Sequence, residues 1–195
     1  MMPWWIFAVT CVMTVVIVSA VLITSQARRL DALHKKILKS RAALDNALIV
    51  RAHAAMTVAQ SGVLDLAGSV VLTNAAQECA DAAEYDLVED GLNRNGDDEV
   101  SPKSYRALDI DRLAIESELS RVLRHTVDEL EEDEKNDYSE ILGHLQQVRQ
   151  SVRLTRRFHN IHVAGAQRIR RSALAQVFRI HGYASWPQTV DLDDE

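Results

Sequence analysis

The sequence predicts an all-α protein with an N-terminal transmembrane helix, an antiparallel up-down four-helix bundle and a short C-terminal amphipathic helix. An uncharged apolar stretch opens the chain, and apolar residues recur at helical spacing through most of the remainder. Glycine, proline and aromatic residues are scarce, at seven Gly, three Pro and 5% aromatics, which argues against a β-sandwich or barrel. We expect an anchor over 1–25, a helical bundle over 26–172, and a short amphipathic segment with an acidic tail over 173–195.

The predicted anchor is the stretch from Trp4 to Ser25, which contains no Asp, Glu, Lys, Arg or His. As a helix it would extend roughly 33 Å, enough to cross a hydrocarbon core of about 30 Å. Trp4 and Trp5 stand where an aromatic belt would lie. A secretory signal would begin with positive residues, whereas Met1 to Pro3 carry no charged side chain. We therefore expect a single-span anchor that is retained.

Basic residues follow the apolar stretch and predict its orientation. They are Arg28, Arg29, Lys35, Lys36, Lys39 and Arg41. The positive-inside rule places this flank in the cytoplasm, so we expect a single-pass protein with its N-terminus outside and its body inside. The two cysteines, Cys11 and Cys79, lie in the span and in a helical stretch, and we expect no disulfide, as is usual for a cytosolic body.

The net charge of −6 is distributed in blocks. Residues 26–57 and 146–181 are basic, and the second block has eight Arg and no acid. Residues 58–145 carry twenty-two acids against seven basic residues. We expect the basic and acidic helices to pair within one bundle. A nucleic-acid partner is not expected, because such proteins are more often basic overall.

Four helices are predicted in the body. The first continues from the span, because no Gly or Pro interrupts the chain before Gly62. The second is expected over about Val63–Val88, the third from Ser101-Pro102 to about Glu134, and the fourth from an Asp137–Glu140 capping box to about Arg171. The fourth has the clearest register, with apolar or weakly polar residues at steps of four and three, as in a coiled coil. Residues of the first helix that follow helical spacing are Leu30, Leu33, Ile37, Leu44 and Leu48. Expected inward positions of the second helix are Leu64, Leu66, Val70, Val71, Ala75, Cys79, Ala82, Ala83 and Leu87. Those of the third are Leu108, Leu113, Ile115, Leu119, Val122, Leu123, Val127 and Leu130. The register of the fourth comprises Ile141, Leu145, Val148, Val152, Thr155, His159 and His162.

An up-down order of helices would give the bundle two unlike ends. The acidic run over 128–137 would lie roughly 50 Å from the bilayer, and the arginines that end the fourth helix would return to it. We expect the membrane-facing end to contact anionic lipid of the cytoplasmic leaflet. The segment from Arg170 to Trp186 could lie on lipid as an amphipathic helix or cap the bundle. The interface candidates are Trp4, Trp5, Arg28, Arg29, Arg170, Arg171, Phe178 and Trp186.

The sequence contains few residues arranged for chemistry. His159 and His162 share one helix face and could hold a metal, but no further ligand follows at a recognisable spacing. If Gly96 were the sixth residue of a calcium loop, Gly91 and Pro102 would occupy positions that need oxygen ligands, so this match fails. No phosphate-binding loop, nucleophile elbow or Cys-x-x-Cys pair occurs. We expect no catalytic residue, no cofactor, no metal and no small-molecule substrate.

Short motifs resemble those of the LemA family of bacterial membrane proteins. The string Arg156-Arg157-Phe158-His159-Asn160 is followed by Val163, and Leu44-Asp45 is followed by Leu48 and Arg51. Phe178, Gly182, Tyr183 and Pro187 are similar to the closing pattern of the family. His159 stands where the family has Tyr, and the Leu-Ile-Pro-Asn and Phe-Pro elements are missing. The resemblance implies a bacterial membrane-anchored antiparallel helical bundle, without catalytic residues to carry over. Its motif candidates are Leu44, Asp45, Leu48, Arg51, Phe158, Asn160 and Val163.

The function favoured by the sequence is a non-enzymatic scaffold or accessory protein. Its bundle would recruit other membrane or membrane-associated proteins at the cytoplasmic face of the bacterial inner membrane. The acidic run over 128–137 could offer a basic partner a landing site. A signal-transducing or regulatory subunit of a larger membrane complex is the alternative, and an enzyme using a metal at His159 and His162 is a third.

Overall fold

The computed structural model describes residues 4–88, 111–172 and 186–194. Within them all the regular secondary structure is helical, and there is no strand. This confirms the predicted all-α class. A π-helical turn over Arg124–Asp128 continues directly from α3. The α-helices are α1 (Trp4–Gln60), α2 (Leu66–Ala82), α3 (Arg112–Leu123), α4 (Glu132–Asp137) and α5 (Ser139–Arg170).

Helix α1 has 57 residues, so it extends about 85 Å and joins the apolar span to the body without a break. Between Trp4 and Arg29 no residue is buried, and from Leu30 onward the helix packs against the rest of the chain. The predicted inward stripe of this half is confirmed at Leu30, Ile37, Leu44 and Leu48, and Leu33 is half-buried. The end of the apolar stretch therefore nearly coincides with the beginning of the core.

Helix α5 runs antiparallel to α1 and supplies the opposite wall of the core. Leu30 and Ile37 of α1 cluster with Val163 and Ala166 of α5, and farther along α1 Ala52 to Val58 share a cluster with Leu145 and Val148. Residues later in α1 thus contact residues earlier in α5, as expected for antiparallel helices. Both helices are long and strongly periodic, which is why most of their inward residues could be predicted.

Helix α2 is shorter than predicted, and part of its expected inward face is wrong. Its buried stripe is Leu72, Ala75, Ala76, Cys79 and Ala82. Leu66, Val70 and Val71 are 83%, 51% and 49% exposed. Among the described elements, α1 and α3 are the main neighbours of α2. One narrow stripe of the helix is therefore buried, and Leu66, Val70 and Val71 are exposed.

The ends of α2 also differ from the prediction. Asp65 is its N-cap, and its carboxylate accepts a hydrogen bond from the Gly68 amide at 2.7 Å. The helix ends at Ala82 instead of near Val88. After it, the Tyr85 carbonyl accepts a hydrogen bond from Arg112, and Leu87 and Val88 are buried beside Leu44 and Leu48. These tertiary contacts favour a non-helical backbone after Ala82.

The predicted third helix is broken into several pieces. Its proposed start at Ser101-Pro102 lies outside the described residues, and the part that is described changes from α3 to the π-helical turn before Glu129. Six of the seven residues over 128–134 are acidic, and like charges at helical spacing disfavour a continuous helix there. The predicted capping box is also wrong, because the N-cap of α5 is Tyr138 and makes no side-chain cap hydrogen bond.

The segment 186–194 is not helical and lies on the body. Val190 and Leu192 are buried in the same cluster as Leu44, Leu48 and Val152. The predicted amphipathic helix falls mainly on residues 173–185, outside the described residues, and Trp186 is not helical.

Candidate functional site

The first half of α1 has the surface of a membrane-spanning helix. Its most apolar window of 18 residues has a mean hydropathy of 2.8, and none of that window is buried within the protein. Trp4 and Trp5 are exposed near its beginning. In the part of the chain that the structure describes, α1 is the one helix long and apolar enough to cross a membrane.

Four hydroxyl side chains of this segment form hydrogen bonds within the helix. The hydroxyls of Thr10, Thr14, Thr24 and Ser25 donate to carbonyls three or four residues earlier, at 2.7–3.0 Å. A hydroxyl bonded to its own helix adds little cost in hydrocarbon, where an unsatisfied polar group is expensive. These residues are therefore compatible with a lipid surrounding.

Basic side chains gather where α1 enters the body. An added Cβ on Gly165 of α5 would lie 3.8 Å from Leu33 of α1, so the last turn of α5 reaches the level of the basic residues that follow the span. Cations at the C-terminus of α5 also oppose its helix dipole favourably. We call the exposed residues Arg28, Arg29, Arg168 and Arg171 the basic end.

Trp186 lies close to Arg170, the last residue of α5, and to Arg171, its C-cap. The guanidinium carbons of Arg170 and Arg171 are each 5.5 Å from the centroid of its ring, a cation–π distance. Arg170 is 4% exposed, and its burial lowers its pKa. Of the eight interface candidates, Arg170 is thus the one the fold buries, and Phe178 lies outside the described residues.

The motif residues of α1 build a buried ionic network with α3. Arg51 donates to the Glu116 carboxylate at 2.8 Å and to the Ser120 hydroxyl at 2.9 Å. Arg112 pairs with Asp45 and lies 3.7 Å from the other Glu116 oxygen. Side-chain exposure is 2% for Arg51 and 1% for Glu116. Two carboxylates and two guanidiniums therefore alternate from the partly exposed Asp45 to the buried Arg51, and their formal charges cancel.

This network orients helices and does not resemble a catalytic centre. Taking charges out of water is costly, and the cost is recovered only with good geometry and further hydrogen bonds. Arg51 meets that condition with a third bond to the Glu116 carbonyl at 2.9 Å, and Arg112 with its bond to the Tyr85 carbonyl. These contacts favour one register of α1 against α3.

Cys79 packs beside the network. Its sulfur is 3.6 Å from the Ile115 carbonyl, to which the thiol donates. Burial raises the pKa of the Cys79 thiol, and the neighbouring Glu116 carboxylate raises it further. A thiol held in its neutral form is a poor nucleophile.

The two histidines of α5 occupy different surroundings. His159 is fully buried, and its Nδ1 lies 3.0 Å from the Ser40 hydroxyl of α1. His162 is half-buried. Among the described residues no group of three or more His, Cys, Asp or Glu side chains is placed to hold a metal ion.

The motif residues of α5 separate into three roles. Val163 is buried against Leu30 and Ile37, whereas Phe158 is 59% exposed. Asn160 binds the main chain of the C-terminal segment, donating to the Val190 carbonyl and accepting from the Val190 amide, both at 2.9 Å. Leu44 and Leu48 of the α1 motif and Asn160 of the α5 motif therefore meet at Val190 of the C-terminal segment. The other motif residues have other neighbours.

Arg112, Glu116 and Ser120 were not predicted as partners of the α1 motif. One signal was available: Arg112 and Glu116 lie in the same helical phase as Leu119 and Leu123, which were expected to be inward. A charged residue in a core phase requires a buried partner of opposite charge. The docking of residues 186–194 had no such signal, because its acidic composition is typical of an exposed tail.

Comparison with known proteins gives no relative: no family model, no curated protein and no solved structure matches this chain. The resemblance to the LemA family therefore stays a prediction.

Proposed function

We propose that this protein is a membrane-anchored, non-enzymatic scaffold or accessory protein whose helical bundle recruits partners at the cytoplasmic face of a bacterial inner membrane. The observation that carries the proposal is the form of α1. Its first half is apolar and unburied, and its second half is part of the core, within one uninterrupted helix. A segment that buries nothing in the protein needs another apolar surrounding, and lipid provides one.

The proposed orientation rests on the basic end. Arg28 and Arg29 follow the span directly, and Arg168 and Arg171 of α5 are exposed at the same end of the body. Anionic headgroups attract such residues by about 1 kcal/mol each near the membrane surface. The N-terminus would then lie outside and the body in the cytoplasm.

Two finer features belong to this proposal. The body would be an up-down four-helix bundle, which the antiparallel contacts of α5 and α2 with α1 support. The chain would also be a LemA-like protein, for which its motifs are the support. A non-enzymatic role is favoured by the size of two clefts formed by described residues, about 160 and 200 Å³. Both are smaller than ordinary ligand pockets of about 300–1,000 Å³.

Membrane fractionation of the intact chain tests the anchor. We expect the protein in the membrane pellet, resistant to high salt and alkaline carbonate, and released by detergent. The matched control replaces Val12, Val15 and Val18 with Asp, which should release the protein into the supernatant. Wild-type protein in the high-speed supernatant without detergent would contradict the proposal.

A signal-transducing subunit remains a second candidate, because α1 is continuous from span to core. A continuous helix can pass rotation from the membrane to the body. Two residues inserted after Gln26 would rotate the body by about 200° relative to the span, whereas seven would nearly restore it. A transducer loses its regulated output with two and keeps it with seven. A tether is indifferent to both.

A further inference from the structure

The C-terminal segment 186–194 lies in a groove of the body in the manner of a bound peptide. It runs antiparallel to α5: the Pro187 carbonyl accepts from Gln167, Val190 pairs with Asn160, and Asp194 contacts Arg156. The other wall is formed by α3 and the π-helical turn, through Ser117 and Arg124. We call this surface the tail groove; its polar side chains are Ser117, Arg124, Arg153, Arg156, Asn160 and Gln167.

Much of the binding is to the main chain of the segment. Asn160 bonds both the amide and the carbonyl of Val190. Arg153 donates to the Asp194 carbonyl at 2.9 Å, and the Asp193 amide donates to Ser117 at 3.3 Å. Such bonds select an extended backbone without regard to its side chains, as in peptide-binding domains.

The side chains of the segment alternate between buried and exposed. Val190, Leu192 and Asp194 are buried, while Asp191 and Asp193 are exposed. A period of two is that of an extended chain against a surface. The two aliphatic side chains enter the cluster of Leu44, Leu48 and Val152, so the groove selects aliphatic residues at two positions separated by one.

Two arginines of the groove recognise the acidic end of the segment. Arg124 contacts both oxygens of Asp193 at 2.9 Å, and Arg156 contacts an oxygen of Asp194 at 2.7 Å. Bidentate arginine–carboxylate pairs add geometric selectivity to attraction.

We propose that the tail groove is a peptide-recognition site and that residues 186–194 occupy it as an internal competitor. Its external ligand is an extended segment of a partner protein. That segment has aliphatic residues at the positions equivalent to Val190 and Leu192 and acidic residues at those equivalent to Asp193 and Asp194. The inference rests on the proposed function for the existence of a partner. Its test uses the groove alone, so anchoring and peptide recognition can fail separately.

A displacement experiment on the full chain in detergent tests the site. A fluorophore is placed at the exposed position 191 by Asp191→Cys in a Cys11→Ser background, where Cys79 is buried. A synthetic peptide of residues 186–194 is the probe. We expect it to release the labelled tail and lower its fluorescence anisotropy, whereas a peptide with Asp at both aliphatic positions has no effect. An unchanged anisotropy at millimolar peptide would contradict the proposal, since a tethered competitor has an effective concentration of that order.

Direct binding provides a second measurement. The full chain with Val190→Asp and Leu192→Asp has a weakened tail and an unchanged groove, and should bind the wild-type peptide at least tenfold more tightly than the parent chain. Adding Asn160→Ala should reduce that affinity, and Arg157→Ala, an exposed neighbour on α5, should not. Equal effects of the two alanines would overturn the assignment. If the weakened-tail chain loses its helical circular dichroism, the displacement result decides.

Energy transfer between labelled copies tests whether the groove instead binds the tail of a second copy of this chain. Chains that exchange tails with one another, without added peptide, would show transfer between donor- and acceptor-labelled molecules. That result would assign the groove to a second copy and overturn the partner assignment. Absence of transfer together with peptide displacement supports it.

Discussion

Glu116 illustrates how a single residue determines the packing of two helices. Its carboxylate lies between the guanidiniums of Arg51 and Arg112, and all three side chains are at most 2% exposed. A sliding of α3 along α1 would leave at least one buried charge without its partner, at a cost of several kcal/mol. The polar network therefore selects the register that apolar contacts alone would leave open.

Replacing Glu116 with Ala should destabilise the body strongly. The change leaves two buried guanidiniums without their shared carboxylate, and we expect a loss of about 3–5 kcal/mol. Chemical denaturation of the full chain in detergent measures it. The control is Glu118→Ala, whose pair with Arg121 is about half exposed on both sides, and a loss below about 0.5 kcal/mol is expected there. Equal effects of the two variants would contradict a buried network.

Docking of the C-terminal segment should weaken in acid. The Arg124 guanidinium holds the pKa of Asp193 below its ordinary value through their hydrogen bonds. Because the pKa is lowered in the docked state, the ionised carboxylate favours docking at pH values above the ordinary pKa of Asp, about 4. This contribution to docking is lost as the pH falls through the lowered pKa. The anisotropy of a label at position 191 should therefore decrease at low pH. Asp193→Asn should reduce the amplitude, and an unchanged profile in that variant would refute the explanation.

At the scale of elements, length and periodicity decided what could be predicted. Helices α1 and α5 bury long stripes against each other, so each inward residue reinforces the same register. Helix α2 is rich in Ala, and its apolar residues surround much of the helix, so its buried face was ambiguous. Contacts with α3 decide that face, because Cys79 meets the Ile115 carbonyl and Leu72 is fully buried.

Two aliphatic residues of α2 provide a test of that face. Leu72→Ala should cost about 2–5 kcal/mol because it opens a cavity in a filled core. Val70→Ala, at a position 51% exposed, should change the free energy of unfolding by less than about 0.5 kcal/mol. Thermal and chemical unfolding of the full chain compare the two variants. A larger loss for the Val70 variant would mean that the sequence-based face was right.

At the scale of the whole molecule, charge is separated along the long axis. The basic end adjoins the span, and the acidic residues around α4 lie at the opposite end of α5, a helix of 32 residues or about 48 Å. Asp128 is partly neutralised by Arg149 at 2.6 Å, while Glu129 and Glu132 remain exposed. In the proposed function, the basic end would face an anionic membrane and the acidic end a basic partner.

Orientation in the membrane should depend on the basic flank of the span. Replacing Arg28, Arg29, Lys35 and Lys36 with Gln removes most of the nearby positive charge, and a fraction of the chains should then place the body outside. A reporter fused after Glu195 that is active only outside the cytoplasm measures that fraction. The control replaces Arg121 and Lys135, which lie far from the span, with Gln and should leave the reporter inactive. An active reporter on the wild-type chain would reverse the proposed orientation.

The sequence by itself determined the helical class, the apolar span and the inward faces of α1 and α5. These follow from local properties: an uncharged stretch long enough for a bilayer, and apolar residues repeated at one period over many turns. Tertiary structure alone decided that Glu116 joins Arg51 to Arg112, that α2 ends at Ala82, and that an acidic segment is docked in a groove. Each of these depends on groups distant in the chain meeting in space, where a buried charge or an extended backbone finds its partner and no local pattern records the encounter.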